Sequence, residues 1–183
     1  MATALYAQFK LASGDIVQTN TLAPDDESPN WLKIIKFNHG VVAPVSKDDG
    51  IKTGERRHDP MIMESTLEKS APYFLNAVCQ GKKTDKDHQF SEVVLRHYRG
   101  DEQHYYTTAL TGAKCVYVRP LMLNYKNKKY EEHPHLLMFH MRYEAIAWFE
   151  VGGKHAAGDA WVGGSDGATL RQRAQAISEA GSL

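Results

Sequence analysis

Residues 69–81, KSAPYFLNAVCQG, decide how the rest of the chain is interpreted. Ser70 can cap a helix by accepting a hydrogen bond from a free amide of the first turn. Pro72 falls in that turn, where a missing N–H costs little. Gly81 can adopt the left-handed conformation that follows a helix end. The stretch therefore predicts a helix over about residues 70–81.

The predicted helix has a single apolar face. Ala71 is followed at offsets of three and four by further apolar residues, which is the spacing of an amphipathic helix. We therefore expect three side chains of this helix to face the protein core: Phe74, Leu75 and Val78.

Strand patterns flank this helix on both sides. In residues 4–12, apolar side chains alternate with polar ones, which indicates an antiparallel strand with one wet face. Other strands are predicted over residues 30–45, 56–67, 90–98, 103–110 and 114–123. Residues 135–151 form either one bent strand or two, residues 99–102 a hairpin loop, and residues 111–113 a break or bulge. Polar loops are predicted over residues 13–30, 46–55 and 125–134, and residues 152–159 are expected to be irregular.

Composition excludes several classes of protein. Lysine plus arginine number 22, as do aspartate plus glutamate, so the formal net charge is zero and nucleic-acid binding is not expected. No basic region followed by an apolar one opens the chain, so no signal peptide is expected. No apolar run approaches the ~20 residues of a membrane span, so no membrane insertion is expected. Cys79 and Cys115 are predicted to be reduced, buried thiols.

No residue pattern assembles a catalytic, cofactor or metal site. His133, His135 and His140 leave a metal-dependent hydrolase open as a hypothesis, although CxxC and HExxH spacings are missing. Acidic residues 25–27 could bind a cation, but a solvated loop is the preferred interpretation. A tyrosine cluster could stack bases, but sheet packing explains it better; its members are Tyr98, Tyr105, Tyr106 and Tyr117.

Several motifs together resemble a known family. KSAPYFLNAVCQGK, residues 69–82, is similar to the helix motif of the haemolysin-coregulated protein (Hcp) family, the tube protein of type VI secretion systems. RHDP, residues 57–60, resembles the family's motif before that helix. The segments VVLRHYRG, HYYTTALTGAKCVYV, MRYEAIAWFEVGG and GDAW then follow in the family's order. The resemblance covers roughly residues 4–161.

This resemblance implies a fold and a function. The fold would be mainly β, an antiparallel β-barrel of two packed sheets with one flanking helix over residues 1–161. Residues 162–183 would form a flexible tail with a possible short helix. The protein would be a structural subunit without enzymatic activity or cofactor, forming hexameric rings that stack into a tube. Its partners would be the sheath, spike and effector proteins, and it would be secreted from the cytoplasm without a signal peptide.

The loop at residues 44–55 resembles the loop with which family members reach neighbouring subunits. We therefore expect contacts between subunits or rings from Ser46, Lys47, Asp48, Asp49, Ile51 and Lys52. The long loop 13–30, the charged loop 125–134 and the tail depart from the family pattern, which leaves cargo and sheath contacts open. A monomeric barrel that binds a small ligand is the alternative from another class.

Overall fold

The computed structural model of the chain describes residues 3–79, 90–152 and 155–160. Within these residues lie eleven strands, one α-helix and a short 3-10 turn at Lys128–Tyr130. The helix, α1, spans Ala71–Cys79. The strands are β1 Ala4–Leu11, β2 Thr21–Ala23, β3 Asp26–Asn38, β4 Val41–Val42, β5 Arg57–His58, β6 Met61–Thr66, β7 Phe90–Tyr98, β8 His104–Leu121, β9 Leu136–Arg142, β10 Ala145–Glu150 and β11 Ala156–Ala160.

Six antiparallel strands close into a barrel. Their order is β8-β7-β1-β3-β6-β9, and pairing between β9 and β8 completes the circle. β10 and β11 continue the sheet outward from β8, and β2 pairs with β3. The predicted mainly β fold with an antiparallel barrel and a flanking helix is confirmed. The two packed sheets of the prediction are joined into one continuous, closed sheet.

At Gly112, strand β8 changes its pairing partner along one edge. Before this residue β8 pairs with β10, and after it β8 pairs with β9. Gly112 has a φ of 61°, and a Cβ there would lie 2.6 Å from a carboxylate oxygen of Glu144. The positive φ favours glycine at this position, and a larger residue would also displace the Glu144 side chain. The break predicted at residues 111–113 is therefore present, as a bend inside one long strand.

The barrel interior is filled by side chains from alternate strand positions. In β1 the inward residues are Leu5, Ala7, Phe9 and Leu11, as the alternation predicted. Phe74 of α1 enters one end of the barrel and is completely buried. Its ring contacts Phe9, with centroids 4.9 Å apart, and Phe139, with centroids 4.5 Å apart. Such aromatic contacts supply a large part of core stability.

The predicted apolar face of α1 is only partly correct. Phe74 is buried, but Leu75 and Val78 are each 36% exposed. The nine-residue helix meets the barrel along the narrow line of Ala71 and Phe74, with Ala77 half-buried beside it. Leu75 and Val78 lie to one side of that line and meet solvent, because a short helix against a barrel end covers only a narrow stripe.

The residues at the ends of α1 bear on the predicted caps. The Ser70 hydroxyl donates a hydrogen bond to Glu68 Oε1 at 3.2 Å, and the Ser70 carbonyl accepts from the Tyr73 amide at 3.1 Å. A hydroxyl can donate and accept at once, so the capping role of Ser70 stays a prediction. Cys79 is exposed at the last helical residue, not buried as predicted, while Cys115 is buried in β8. Gly81 and the predicted tail, 162–183, lie outside the described residues.

Two loop predictions are wrong in part, and one strand prediction that allowed two outcomes is now decided. Residues 13–30 contain β2 and the first part of β3, and residues 156–160 form β11 instead of irregular chain. Residues 135–151 are two strands separated at Tyr143 and Glu144.

No helix in the described part of the chain is both long and apolar enough to cross a bilayer.

Candidate interaction surface

Residues 39–59 form a long two-stranded projection, here called the ribbon. At its base β4 pairs with β5, with Val41 opposite His58. Farther out, the Thr53 amide donates to the Pro44 carbonyl at 3.0 Å, and the Ser46 amide donates to the Ile51 carbonyl at 2.8 Å. These main-chain bonds make the ribbon an ordered element, whereas the sequence predicted a flexible polar loop.

The ribbon tip is a tight turn stabilised by local hydrogen bonds. The Gly50 amide donates to the Ser46 carbonyl at 3.1 Å, and Gly50 has a φ of 71°. The Asp49 carboxylate accepts the Ile51 amide at 3.0 Å, and this bond lowers the pKa of that carboxyl. Lys47, Asp48, Asp49 and Lys52 all present exposed charged side chains.

The ribbon also exposes large apolar side chains. The exposed fractions are 45% for Val41, 46% for Val42, 55% for Val45 and 64% for Ile51. Ile51 was predicted from sequence, but the three valines were assigned to a longer strand. A cluster of exposed branched side chains on one projection is typical of a surface that another molecule covers.

A polar cluster, here called the root network, holds the base of the ribbon. Tyr143 Oη lies 2.6 Å from His39 Nε2 and 2.7 Å from His58 Nδ1. His58 Nε2 lies 2.8 Å from Asp159 Oδ2, and the Arg56 guanidinium pairs with the same carboxylate. These five residues come from both sides of the ribbon, the β9–β10 corner and β11.

Electrostatics agree with these contacts. The hydrogen bond from Arg56 holds the pKa of the Asp159 carboxyl below its usual value. Burial raises the pKa of Tyr143, and burial together with the nearby His58 lowers the pKa of His39. The Trp148 ring stacks on His58 at 6.4 Å between centroids. The root network is thus a charged anchor shielded by an aromatic side chain.

Two of the acidic residues at 25–27 bind side chains of the protein itself. The Asp25 carboxylate accepts from Arg96 Nη1 at 3.1 Å and from the Tyr98 hydroxyl. Asp26 accepts from Trp31 Nε1 at 2.8 Å. The Arg96 guanidinium lies 4.5 Å from the centroid of the Trp31 ring. This cluster attaches the β2–β3 hairpin to the outer wall of the barrel, so neither a cation site nor a solvated loop describes it.

The histidines of the hydrolase hypothesis do not form a metal site among the described residues. His140 packs on Tyr117 with centroids 4.5 Å apart, whereas His133 lies beside Tyr130 at 6.0 Å. Among the described residues, no group of three or more histidine, cysteine, aspartate or glutamate side chains could hold a metal ion. Of the four tyrosines, Tyr98 is buried and Tyr117 is 40% exposed, while the Tyr105 and Tyr106 rings lie 6.4 Å apart between centroids.

Comparison with known proteins identifies the family. The family model described as "Type VI secretion system effector, Hcp" matches residues 23–149. The chain belongs to the Hcp family. This Hcp chain is also 32% identical over 128 residues to the "Major exported protein" of Pseudomonas aeruginosa, covering 67% of the chain and 71% of that relative. The resemblance expected from sequence is confirmed.

Solved structures agree with this assignment. Hcp1 from the E. coli EAEC 042 pathovar is 26% identical with a TM-score of 0.72, covering 87% of this chain and 100% of that one. The secreted protein Hcp3 from Pseudomonas aeruginosa has the same fold at 22% identity, with a TM-score of 0.64 and coverage of 88% and 99%. The protein is therefore a tube or effector protein of a type VI secretion system.

Proposed function

We propose that this Hcp protein forms hexameric rings that stack into the inner tube of a type VI secretion system, and that the ribbon makes contacts between subunits or rings. The supporting observation is the ribbon itself, an ordered projection whose Val45 and Ile51 are more than half exposed. Branched side chains in water on a rigid element gain free energy when a neighbour covers them.

The ribbon tip combines two kinds of contact. Because 64% of Ile51 is exposed, its complete burial against a neighbour would contribute about 1–2 kcal/mol. Lys47, Asp48, Asp49 and Lys52 can each pair with an opposite charge, at roughly 0.2–1 kcal/mol a pair. Because a closed ring repeats the same contact at every interface, modest contributions add up. A contact that mixes exposed charges with a few apolar side chains also suits reversible stacking.

In this proposal effectors travel in the lumen of the ring. The interior of each barrel is occupied by core side chains such as Phe9, Phe74 and Phe139, which leaves the space enclosed by the ring for cargo. The same packing weighs against the alternative of a monomeric ligand-binding barrel. Sheath, spike and effector proteins are the proposed partners, and the filled tube would leave the cytoplasm through the secretion apparatus. A structural, non-catalytic role completes the proposal.

The test compares two variants of similar exposure. Ile51→Asp places a charge at the ribbon tip, and Met122→Asp places one at a 58% exposed position directly after β8. We expect both to melt like the parent protein, with rings and secretion lost only in Ile51→Asp. Particle sizing, negative-stain imaging and a secretion assay provide the readouts. Deletion of residues 47–52 should reproduce the Ile51→Asp result. Intact rings in both ribbon variants would contradict the proposal.

A further inference from the structure

The root network joins parts of the chain that are far apart in sequence. His39 and His58 belong to the two sides of the ribbon, Tyr143 to the corner after β9, and Asp159 to β11. Three hydrogen bonds of 2.6 to 2.8 Å connect them in series, from His39 through Tyr143 and His58 to Asp159. The Tyr143 hydroxyl links the two sides of the ribbon, while Arg56 and His58 bind Asp159 directly and Arg142 binds the His58 carbonyl.

Chemistry dictates the direction of these bonds. A carboxylate only accepts, so His58 Nε2–H donates to Asp159, and a neutral His58 then accepts from the Tyr143 hydroxyl at Nδ1. Tyr143 in turn accepts from His39 Nε2–H. If His58 gains a proton, the hydroxyl can rotate and donate to a neutral His39 instead. If both rings are protonated, Tyr143 faces two donors, and its own proton has no acceptor among these partners.

We propose that the root network is a latch that sets the direction of the ribbon, and that it accommodates one protonated histidine but not two. Protonation of both rings would then release the base of the ribbon and with it the contacts between subunits. This proposal rests on the proposed role of the ribbon in assembly. Tyr143, His39 and His58 are then positioning residues for the ribbon. Ring assembly should weaken in acid.

Charged groups of both signs surround the latch. Arg56 pairs with Asp159, and Arg142 Nη1 donates to the main-chain carbonyl of His58 at 3.1 Å. The charge of Asp59 acts to raise the pKa of His39, but it is outweighed by burial and by His58, and Arg57 lies 3.8 Å from the Asp59 carboxylate. The His39 and His58 rings are only 5.9 Å apart, so two positive charges there would repel each other.

The direction of the titration agrees with the geometry. The pKa of His39 is lowered by burial and by His58, so the folded state holds that proton less tightly than the unfolded chain does. Stability of the latch is then present above about pH 6.5, the ordinary histidine value, and is lost as the pH falls. Asp159 remains ionised through this range because Arg56 lowers the pKa of its carboxyl.

Hydrogen exchange tests the latch apart from assembly. The measurement uses the full chain carrying Ile51→Asp, which keeps the root network, with rates corrected for the intrinsic effect of pH. We expect protection of ribbon amides such as those of Thr53 and Asp59 to fall about tenfold or more between about pH 7.5 and about pH 5. Barrel amides in β1 should change less.

Three further variants give the latch its controls. Tyr143→Phe should leave the ribbon unprotected at both pH values, whereas Tyr125→Phe, at an exposed position, should behave like its parent. His39→Gln can donate or accept toward Tyr143 without gaining a charge, so the ribbon should stay protected at both pH values. Equal ribbon protection in Tyr143→Phe and its parent, or no effect of pH on the parent, would overturn the latch.

Ring assembly of the unaltered chain supplies the last measurement. We expect particle sizing to show rings at about pH 7.5 and separate subunits at about pH 5, with His39→Gln rings persisting at both values. Rings that persist at the lower pH while exchange shows a released ribbon would contradict the role of the ribbon in assembly, and with it the acid sensitivity. A ribbon that stays protected at both values overturns the latch alone.

Discussion

Phe74 of α1 stacks on Phe139 of β9, with ring centroids 4.5 Å apart and planes inclined by 20°. Both rings are fully buried and belong to a single cluster that also includes Phe9 and Phe90. The helix is thus attached to the barrel chiefly through one side chain that enters the end of the barrel. Neighbouring residues of α1 should therefore contribute very unequally to the free energy of unfolding.

Phe74→Ala should strongly destabilise the protein. Truncation removes a buried ring and leaves a cavity among aromatic side chains, which costs about 3–5 kcal/mol of the free energy of unfolding. Leu75→Ala is the matched control, and since Leu75 is 36% exposed it should cost about 1 kcal/mol or less. Urea unfolding measures both. Equal losses in the two variants would show that α1 packs on a different face.

Val78→Asp should leave the protein folded. The sequence pattern predicts that this substitution prevents folding, but Val78 is 36% exposed, so its carboxylate can stay hydrated. Ala71→Asp is the contrasting variant, because Ala71 is 4% exposed and a buried carboxylate costs several kcal/mol. Thermal melting followed by circular dichroism distinguishes them. A Val78→Asp protein that fails to fold would restore the original prediction.

The two cysteines should differ sharply in reactivity and remain reduced. Cys79 is exposed, whereas Cys115 is buried and burial raises the pKa of its thiol to about 12. Because the thiolate is the reactive form, an alkylating reagent should modify Cys79 in the native protein and Cys115 only after denaturation. Peptide mass spectrometry identifies the labelled sites. A peptide linking the two cysteines in fresh protein would refute the prediction.

Stability should fall in mild acid, with His97 as a major cause. Burial, and then the nearby His104, lowers the pKa of His97 to about 4. The unfolded chain binds the proton more tightly, so this contribution is complete above about pH 6.5 and is lost as the pH falls toward 4, at roughly 3 kcal/mol. His97→Gln should flatten the dependence of melting temperature on pH. His133→Gln, at an exposed position, should leave it unchanged.

Local patterns predicted the parts of the fold that depend on local physics. The alternation in β1 follows from the pleat of a strand, and the hairpin between β7 and β8 follows from its turn residues. The β2–β3 hairpin was missed because its sequence is polar. It is stabilised from outside, by Arg96 and Tyr98 of β7 binding Asp25, and no local signal reports such contacts.

The sequence predicted where the candidate surface lies, but it predicted a polar loop there and not an ordered two-stranded ribbon. Polar residues and glycine indicated a loop at 46–55, while the order of the ribbon comes from main-chain bonds that depend weakly on side-chain type. The root network has no sequence signal, because His39 and Asp159 are 120 residues apart and meet only in the closed fold (159 − 39 = 120). RHDP contributed to the resemblance to the family, but the pattern alone did not reveal that His58 binds Tyr143.

Closure of the barrel through β9 has a consequence for synthesis of the chain. β9 pairs with β6 on one edge and β8 on the other, so the barrel remains open until Leu136–Arg142 leave the ribosome. Leu136 lies 70 positions after Thr66 (136 − 66 = 70), and synthesis of that stretch takes roughly 4–14 s at about 5–20 residues per second. During that time the edge of β6 can pair with other chains. Fragments that end before Leu136 keep this edge open permanently, and aggregation is their expected fate.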